Sequence, residues 1–456
     1  MKLSRRKSIF TLTTILIIFG FGSDRQLLRK KSSQGYQKKE LAIAPDVLPK
    51  YNIDKERIYQ NFLKAAQGGS EGNPALLYQG IQTSPYKKQI NSYPTRLKLK
   101  PNGKNLVDCI EADATFNSYP IVGKIPTIDE NSLDFLHHDI KEACICLGSF
   151  SEGEFKTKWL GRNALSNQEF WSATKFIPIL NVIYLLHKHQ PNIDIDYYKI
   201  SGIDQQEMPR SFNIYELARD IVSYEENIAT SNALAEIFKR FSSQIELENW
   251  LKSITGNKNL IFRGDYGEKV LIEQPKVTER NTEKTILMAD TEPINPNWTD
   301  NTISAYDLTR MISMLGWHNY IPAESRLPGV KWKNLESVIT AMGTDSARLT
   351  DLAIKELGLQ NDLDSVVILS KIGNGTTILR KRTEAVYVAL VQFVVRNPNK
   401  LKPAKMLTLS MALRGARTQQ PRDLNREVVE LDARMATEVA KIIQRAISYH
   451  RGKNNF

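Results

Sequence analysis

The order of its elements constrains this chain more than any single motif: two strand-like runs, a helical block, three more strand-like runs and a closing helix. Ala143 to Leu147 and Phe155 to Leu160 read as strands joined by Ser149 to Glu154. Val366 to Ser370 is short and β-branched, the profile of a buried strand, and Ala385 to Val395 and Met406 to Leu413 continue the pattern. Asp432 to Ser448 then reads as an amphipathic helix with Met435, Val439, Ile442 and Ile443 inward. Within the helical block, Phe176 to Leu186 is apolar enough to be buried on most sides, although Pro178 removes a backbone donor and should bend the helix.

Ser172-Ala173-Thr174-Lys175 opens that apolar run. Residues i and i+3 share a helical face, so the Lys175 amine can reach the Ser172 hydroxyl if both sit in the first turn. Serine alone is a poor nucleophile, and a lysine whose pKa is lowered by a second cation or by desolvation can deprotonate it. Ser4-Arg5-Arg6-Lys7 and Ser84-Pro85-Tyr86-Lys87 match the spacing without the buried context. The structural alternative for Ser172 is a helix cap. Downstream, Lys371-Ile372-Gly373 closes the run from Val366 and is the only Lys-x-Gly in the chain. A lysine there can hold a substrate carboxylate, Gly373 lets a ligand approach the backbone, and the amide of Asn374 can donate to an oxyanion. The alternative is a strand ending in a glycine-rich turn, Gly373-Asn374-Gly375.

Between these motifs, Tyr215 to Leu234 shows two helical patterns flanking a polar break, Tyr224-Glu225-Glu226-Asn227. The segment resembles the stretch of class A β-lactamases in which a helix reading Glu-Leu-Ala runs into Tyr-Ser-Asp-Asn and a second helix. With Ser-x-x-Lys and Lys-Thr-Gly in the same order, residues 130 to 450 are similar to the serine β-lactamase and penicillin-binding superfamily. The resemblance implies an α/β (α+β) fold: a five-stranded antiparallel sheet flanked by helices, with a helical subdomain, the first and last helices sharing one face. It implies an acyl-enzyme on Ser172, with Lys175 as base and Asn227, Lys371, Gly373 and Asn374 as substrate binders. The amides of Ser172 and Asn374 would form the oxyanion hole. In the register set by Glu216-Leu217-Ala218, Glu225 takes the place of the proton-relay serine, between Lys175 and Lys371. Ser231 then stands where the family has an asparagine, with Asn232 one step late. Ile372 replaces the family's Thr or Ser, removing one hydroxyl from the carboxylate site. Asp290-Thr291-Glu292-Pro293-Ile294-Asn295 resembles the family's Glu-Pro-x-x-Asn loop with one residue missing, which makes Glu292 the candidate for directing the deacylating water. An ordinary proline-rich surface loop is the alternative.

Lys2, Arg5, Arg6 and Lys7 lead into the apolar run Ile9 to Gly22, a basic and then hydrophobic pair of regions that marks residues 1–23 as a signal peptide or signal anchor. The expected location is the cell envelope or periplasm, with residues 8–22 as the candidate membrane anchor. Residues 24–50 read as a basic linker, and residues 51–129 as an N-terminal extension with a helix from Ile53 to Ala66 and weak strand patterns from Tyr93 to Ala112. Cys109, Cys144 and Cys146 allow at most one bridge, from Cys109, because Cys144 and Cys146 alternate along one strand face. The six histidines have no metal-ligand spacing, so neither metal nor cofactor is expected. The net charge of +12 raises nucleic acid as a partner, but no nucleic-acid-binding pattern accompanies it. The expected activity is that of an exported serine hydrolase taking β-lactams or D-Ala-terminated peptidoglycan peptides. A catalytically weakened relative that binds peptidoglycan or an envelope partner is the alternative.

Overall fold

A computed structural model describes residues 54–67, 80–101, 107–109, 115–290, 301–377, 380–397 and 403–449. Residues 1–50, on which the signal-segment and linker expectations fall, and Glu292 lie outside the described residues. At the centre is an antiparallel sheet of five long strands: β1 (Ile140–Ser151), β2 (Glu154–Arg162), β3 (Leu363–Thr377), β4 (Arg382–Val395) and β5 (Ala404–Arg417). Their order is β3-β4-β5-β1-β2, so the last strand of the sequence lies beside the first. Register is continuous from Thr377↔Arg382 to Val367↔Gln392 and from Thr383↔Arg417 to Val395↔Lys405. The β1–β2 hairpin turns through Glu152 and Gly153, both left-handed at φ 53° and 81°, a geometry that follows the twist of the strands it joins.

Both faces of this sheet are covered, which explains why its strands are apolar runs and do not alternate with polar residues. Ile145, Leu147, Ile368, Tyr387, Val391, Leu409, Met411 and Leu413 pack into one core beneath the long helix that closes the chain, Leu424–Tyr449. The alternate residues Cys144, Cys146, Val367, Leu369, Val388, Leu390 and Ala412 face the helical block. That block contains α2 (Phe176–His189), α3 (Ile214–Ser223), α4 (Ser231–Lys239), α5 (Gln244–Thr255), α6 (Ala305–Gly316) and α7 (Trp332–Met342). Following it are α8 (Leu349–Glu356) and the closing helix α9 (Leu424–Tyr449), and α1 (Lys55–Gln67) precedes everything else described. The helix α1 shares a sheet face with α9: Arg434 stacks 3.8 Å from the Tyr59 ring and Lys55 pairs with Glu438 at 3.2 Å. This is the mixed α/β layout that the sequence implies.

Several local expectations differ. Pro178 does not bend α2, because the helix starts at Phe176 and Pro178 therefore sits in the first turn, where its missing N–H has no partner to lose. Tyr93–Arg96 is a helical turn led by Pro94, and Val107–Cys109 is the only strand described between Tyr93 and Ala112, lying parallel to β5. Cys144 and Cys146 are free and buried, so neither is bridged to Cys109. A second, four-stranded sheet built from Tyr198–Ile203, Pro209–Asn213, Lys276–Glu279 and Thr285–Met288 was not expected. Its two edge strands are short and lack the alternation that marks a half-buried strand: Pro209–Asn213 is mostly polar, and Thr285–Met288 is an apolar run of only four residues. Among the described residues, no helix is long and apolar enough to cross a membrane.

The N-terminal extension packs into the body of the fold. Ile81 N donates to Ser346 O at 3.0 Å, Ser84 Oγ donates to Asp351 Oδ1 at 2.6 Å, and Tyr93 is fully buried. Its hydroxyl accepts from Arg348 Nη2 at 3.1 Å, while the same guanidinium pairs with Asp351 and donates to Gly343 O at 2.5 Å. Removing one member of a buried ion pair leaves the other uncompensated. Arg348→Ala should therefore lower unfolding stability by about 3–5 kcal/mol, measured as a shift in the denaturant midpoint with unchanged slope.

Candidate active site

Phe170 ends an extended segment and Trp171–Thr174 forms a 3₁₀ turn, so Ser172 lies on a turn ahead of α2 and makes no capping bond to that helix. Trp171 is left-handed at φ 49°, a conformation costing a bulky residue on the order of 1–3 kcal/mol. Three contacts hold it there. Its N–H donates to Glu169 Oε1 at 3.2 Å, its indole N–H donates to Glu384 Oε2 at 2.9 Å, and its ring lies against Gly375, where a Cβ would come within 2.5 Å of it. Glu384 is buried, and although burial pushes its carboxyl up, Arg414 and Arg380 hold it below the usual range. Arg414 bonds both Glu384 and Glu142 at 2.5 Å. A buried charge network thus supports the nucleophile turn from below.

The approach of β3 to this turn is the closest backbone contact at the site. A Cβ on Gly373 would lie 2.8 Å from Ser172 N and 2.9 Å from Ala173 N. Because both obstacles are backbone atoms, only glycine fits. β3 is an edge strand. Ile372 N donates to Asp345 Oδ1 at 3.4 Å and Ile372 O accepts from Tyr224 Oη at 2.9 Å, so both its polar backbone groups face the open edge. Two residues on, those of Asn374 face the same way. Asn374 is itself exposed, and Gly373 before it lies against the amides of Ser172 and Ala173.

Lys175 is buried, with 1% exposure. Its Nζ donates to Ser231 Oγ at 3.0 Å and to Asn232 Oδ1, beside the rings of Tyr266 and Tyr224 at 5.4 and 5.8 Å. Burial pushes its pKa down to about 7, against the opposing pull of Glu268, Glu236 and Glu226. The amine is therefore substantially neutral at physiological pH. Ser172 is partly exposed, and its hydroxyl is not among the partners of Lys175.

The helix α4 connects this base to a carboxylate that sequence reasoning missed. Asn232 Nδ2 donates to Glu268 Oε1 at 3.1 Å, and Thr230 Oγ1 donates to the other Glu268 oxygen. The loop carrying Glu268 is held by the same helix, through Tyr266 N to Glu236 Oε1 at 2.5 Å and Lys239 Nζ to Gly264 O. Glu292 lies outside the described residues, whereas Glu268 is joined to Lys175 through the Asn232 side chain. Thr230 is the N-cap of α4, and the next two residues, Ser231 and Asn232, are the partners of Lys175.

Glu225 and Asn227 accordingly stand apart from the lysines. Glu225 is half exposed and pairs with Arg219 at 3.1 Å, while Asn227 is exposed and its amide donates to Glu225 at 3.0 Å. In place of a carboxylate, the Tyr224 ring lies between the two lysines, with its centroid 3.5 Å from Lys371 Nζ. Lys371 is fully buried; burial holds its pKa well below the usual range, opposed by nearby Asp345 and reinforced by Lys175. His137, His138 and Asp139 are the one grouping among the described residues with metal-ligating atoms close together, but Asp139 already pairs with Arg417 at 2.7 Å.

No known protein-family profile matches the chain, and neither does any curated protein. Among solved structures, a β-lactamase from Desulfarculus baarsii is 14% identical, with 67% of this chain and 92% of that one covered and a TM-score of 0.37. A β-lactamase from Streptosporangium roseum is 12% identical over 70% and 98%, TM-score 0.38. A peptidoglycan synthetase from Bifidobacterium adolescentis is 8% identical over 70% of this chain and 59% of its own, TM-score 0.30. At these scores the likeness carries no argument about chemistry, which has to come from the side chains.

A methyl group at residue 373 would displace the nucleophile turn while leaving the sheet paired. Gly373→Ala should cut covalent labelling of Ser172 by about a hundredfold, the cost of a misplacement near 1 Å, with unchanged circular dichroism.

Proposed function

We propose that the protein is an exported serine hydrolase of the β-lactamase or D-Ala-D-Ala peptidase type that works through an ester on Ser172. The observation carrying this reading is the meeting of Ser172, the buried Lys175 and the edge of β3 at one place, from segments far apart in sequence. In the first step Ser172 Oγ attacks an acyl carbonyl carbon and its proton passes to neutral Lys175. The carbonyl oxygen takes the negative charge beside the amides of Ser172 and Asn374. The C–N bond then breaks, and the leaving nitrogen receives the proton from Lys175 by way of the Ser231 hydroxyl, the nearest one to that amine. An ester is left on Ser172. Water attacks it, giving a proton to Glu268, which Asn232 and Thr230 hold beside the base. The bond between the acyl carbon and Ser172 Oγ then breaks, the carboxylic acid leaves, and Glu268 returns the proton to Ser172 Oγ.

A substrate carboxylate beside Lys371 would favour the charged form that burial disfavours and pair with it, and the open edge of β3 from Asn374 onward offers backbone groups to an extended peptide. With Ile372 where a hydroxyl residue would stand, that carboxylate has one bond fewer. The second reading, a weakened protein that binds peptidoglycan, is favoured by the Tyr224 ring lying over Lys371.

Intact mass after exposure to benzylpenicillin should show one adduct, lost in Ser172→Ala; absence in the wild type, or persistence in the variant, overturns the proposal. The adduct should accumulate in Glu268→Gln, whose ester hydrolysis should slow by about 10²–10⁴-fold. Since the base acts as the free amine and its pKa lies near 7, the acylation rate should rise with pH and level off above about pH 8. A rate falling across that interval would exclude Lys175 as the base.

A further inference from the structure

Tyr224 occupies the position where a substrate anion would have to bind. Its ring covers Lys371, whose side chain has no exposure, and its hydroxyl takes up Ile372 O at 2.9 Å. One side chain thus closes both an ammonium group and a backbone acceptor on the open edge of β3. The local backbone permits movement. Tyr224 ends α3 in the left-handed region at φ 57°, and Glu226 is left-handed at φ 52°. Beyond them the chain is fixed, because the Asp220 carboxylate accepts from Asn227 N at 3.0 Å and Ile228 N at 2.8 Å. On the other side α3 is anchored by Leu217, Ala218, Ile221 and Val222, all buried. A hinge is thereby confined to residues 224–226. Within it, Glu225 pairs with Arg219 and accepts from the Asn227 side chain, contacts between exposed groups that hold weakly, and its N–H donates to Ser223 Oγ at 3.3 Å.

Building on the proposed function, we propose that Tyr224 is a gate that must swing away from Lys371 before an anionic substrate can be held, and that the structure is its closed state. A carboxylate takes the place of the ring at Lys371, and a peptide N–H replaces the tyrosyl hydroxyl at Ile372 O. An uncharged acyl donor needs neither contact and reacts at Ser172 with the gate shut. The gate therefore selects between anionic and neutral substrates.

The test compares acylation of the full chain by benzylpenicillin and by its uncharged methyl ester. Tyr224→Phe removes the hydroxyl tether, and Tyr224→Leu removes the ring as well. Both should raise the second-order acylation rate with benzylpenicillin, by about two- to tenfold for the tether alone, and leave the ester's rate unchanged within about twofold. A fall with both probes would make Tyr224 part of the catalytic machinery, and equal rates throughout would mean that nothing is gated; either overturns the gate. A second measurement does not depend on the chemistry. In a Ser172→Ala background, calorimetric binding of benzylpenicilloate should tighten when Tyr224→Leu is added. Tightening without any acylation of the wild type supports the gate while sinking the hydrolase reading. Weaker or unchanged binding overturns the gate whatever the wild type does to penicillin.

Discussion

Everything at this site depends on how closely one strand approaches one turn. The strand β3 runs its backbone against that of Ser172 and Ala173 with no side chain between them, which only Gly373 permits. This contact brings the strand that carries Asn374 against the turn that carries Ser172, two segments far apart in sequence. It also determines where the lysines sit, since Lys175 follows the turn on one side and Lys371 precedes the glycine on the other. The cost of the arrangement appears at Trp171, held left-handed by a carboxylate that three arginines in turn hold in place. Strain beside a nucleophile, compensated by a rigid ionic underlayer, is how a fold keeps one reactive group at a fixed angle.

A second organising element is α4. Its first turn meets the base, its middle fixes Tyr266, and its last residue, a buried lysine, holds Gly264 and Asn301. One helix nine residues long therefore sets the distance between amine and carboxylate. Lys239 is costly to bury, and its pKa falls as a result, but it lies against the Phe262 and Tyr266 rings and bonds two oxygens. A helix fastened along its whole length cannot slide relative to the loop it carries.

How much was legible in the sequence follows from which signals are local. The five long strands and α9 were readable because apolar period and β-branching are properties of neighbouring residues. Ser172, Lys175, Lys371 and Gly373 stand out in the sequence because each lies within a short motif, and the structure brings Gly373 against the turn that carries Ser172. Glu225 faces Arg219 and not the lysines because Glu216-Leu217-Ala218 fixes the helix but not the course of the loop after it; the partners of Lys175 come later, at Ser231 and Asn232. Glu268 gave no signal at all, since its loop has no composition that distinguishes it from other turns and only tertiary contact with Asn232 brings it to the site. Tyr224 was noticed as a neighbour of the motif, but its left-handed backbone, which turns the ring onto Lys371, is not encoded by residue type.

The placing of β5 between β4 and β1 has a consequence for how the molecule comes into being. The first hairpin, β1–β2, has one flank that stays unpaired until residues 404–417 arrive from the far end of the chain. Closing so wide a loop costs entropy before any contact is gained, so the sheet is a late event in folding. A nascent polypeptide of this kind remains an open thread through most of its synthesis, and its apolar hairpin depends in that interval on whatever escorts it.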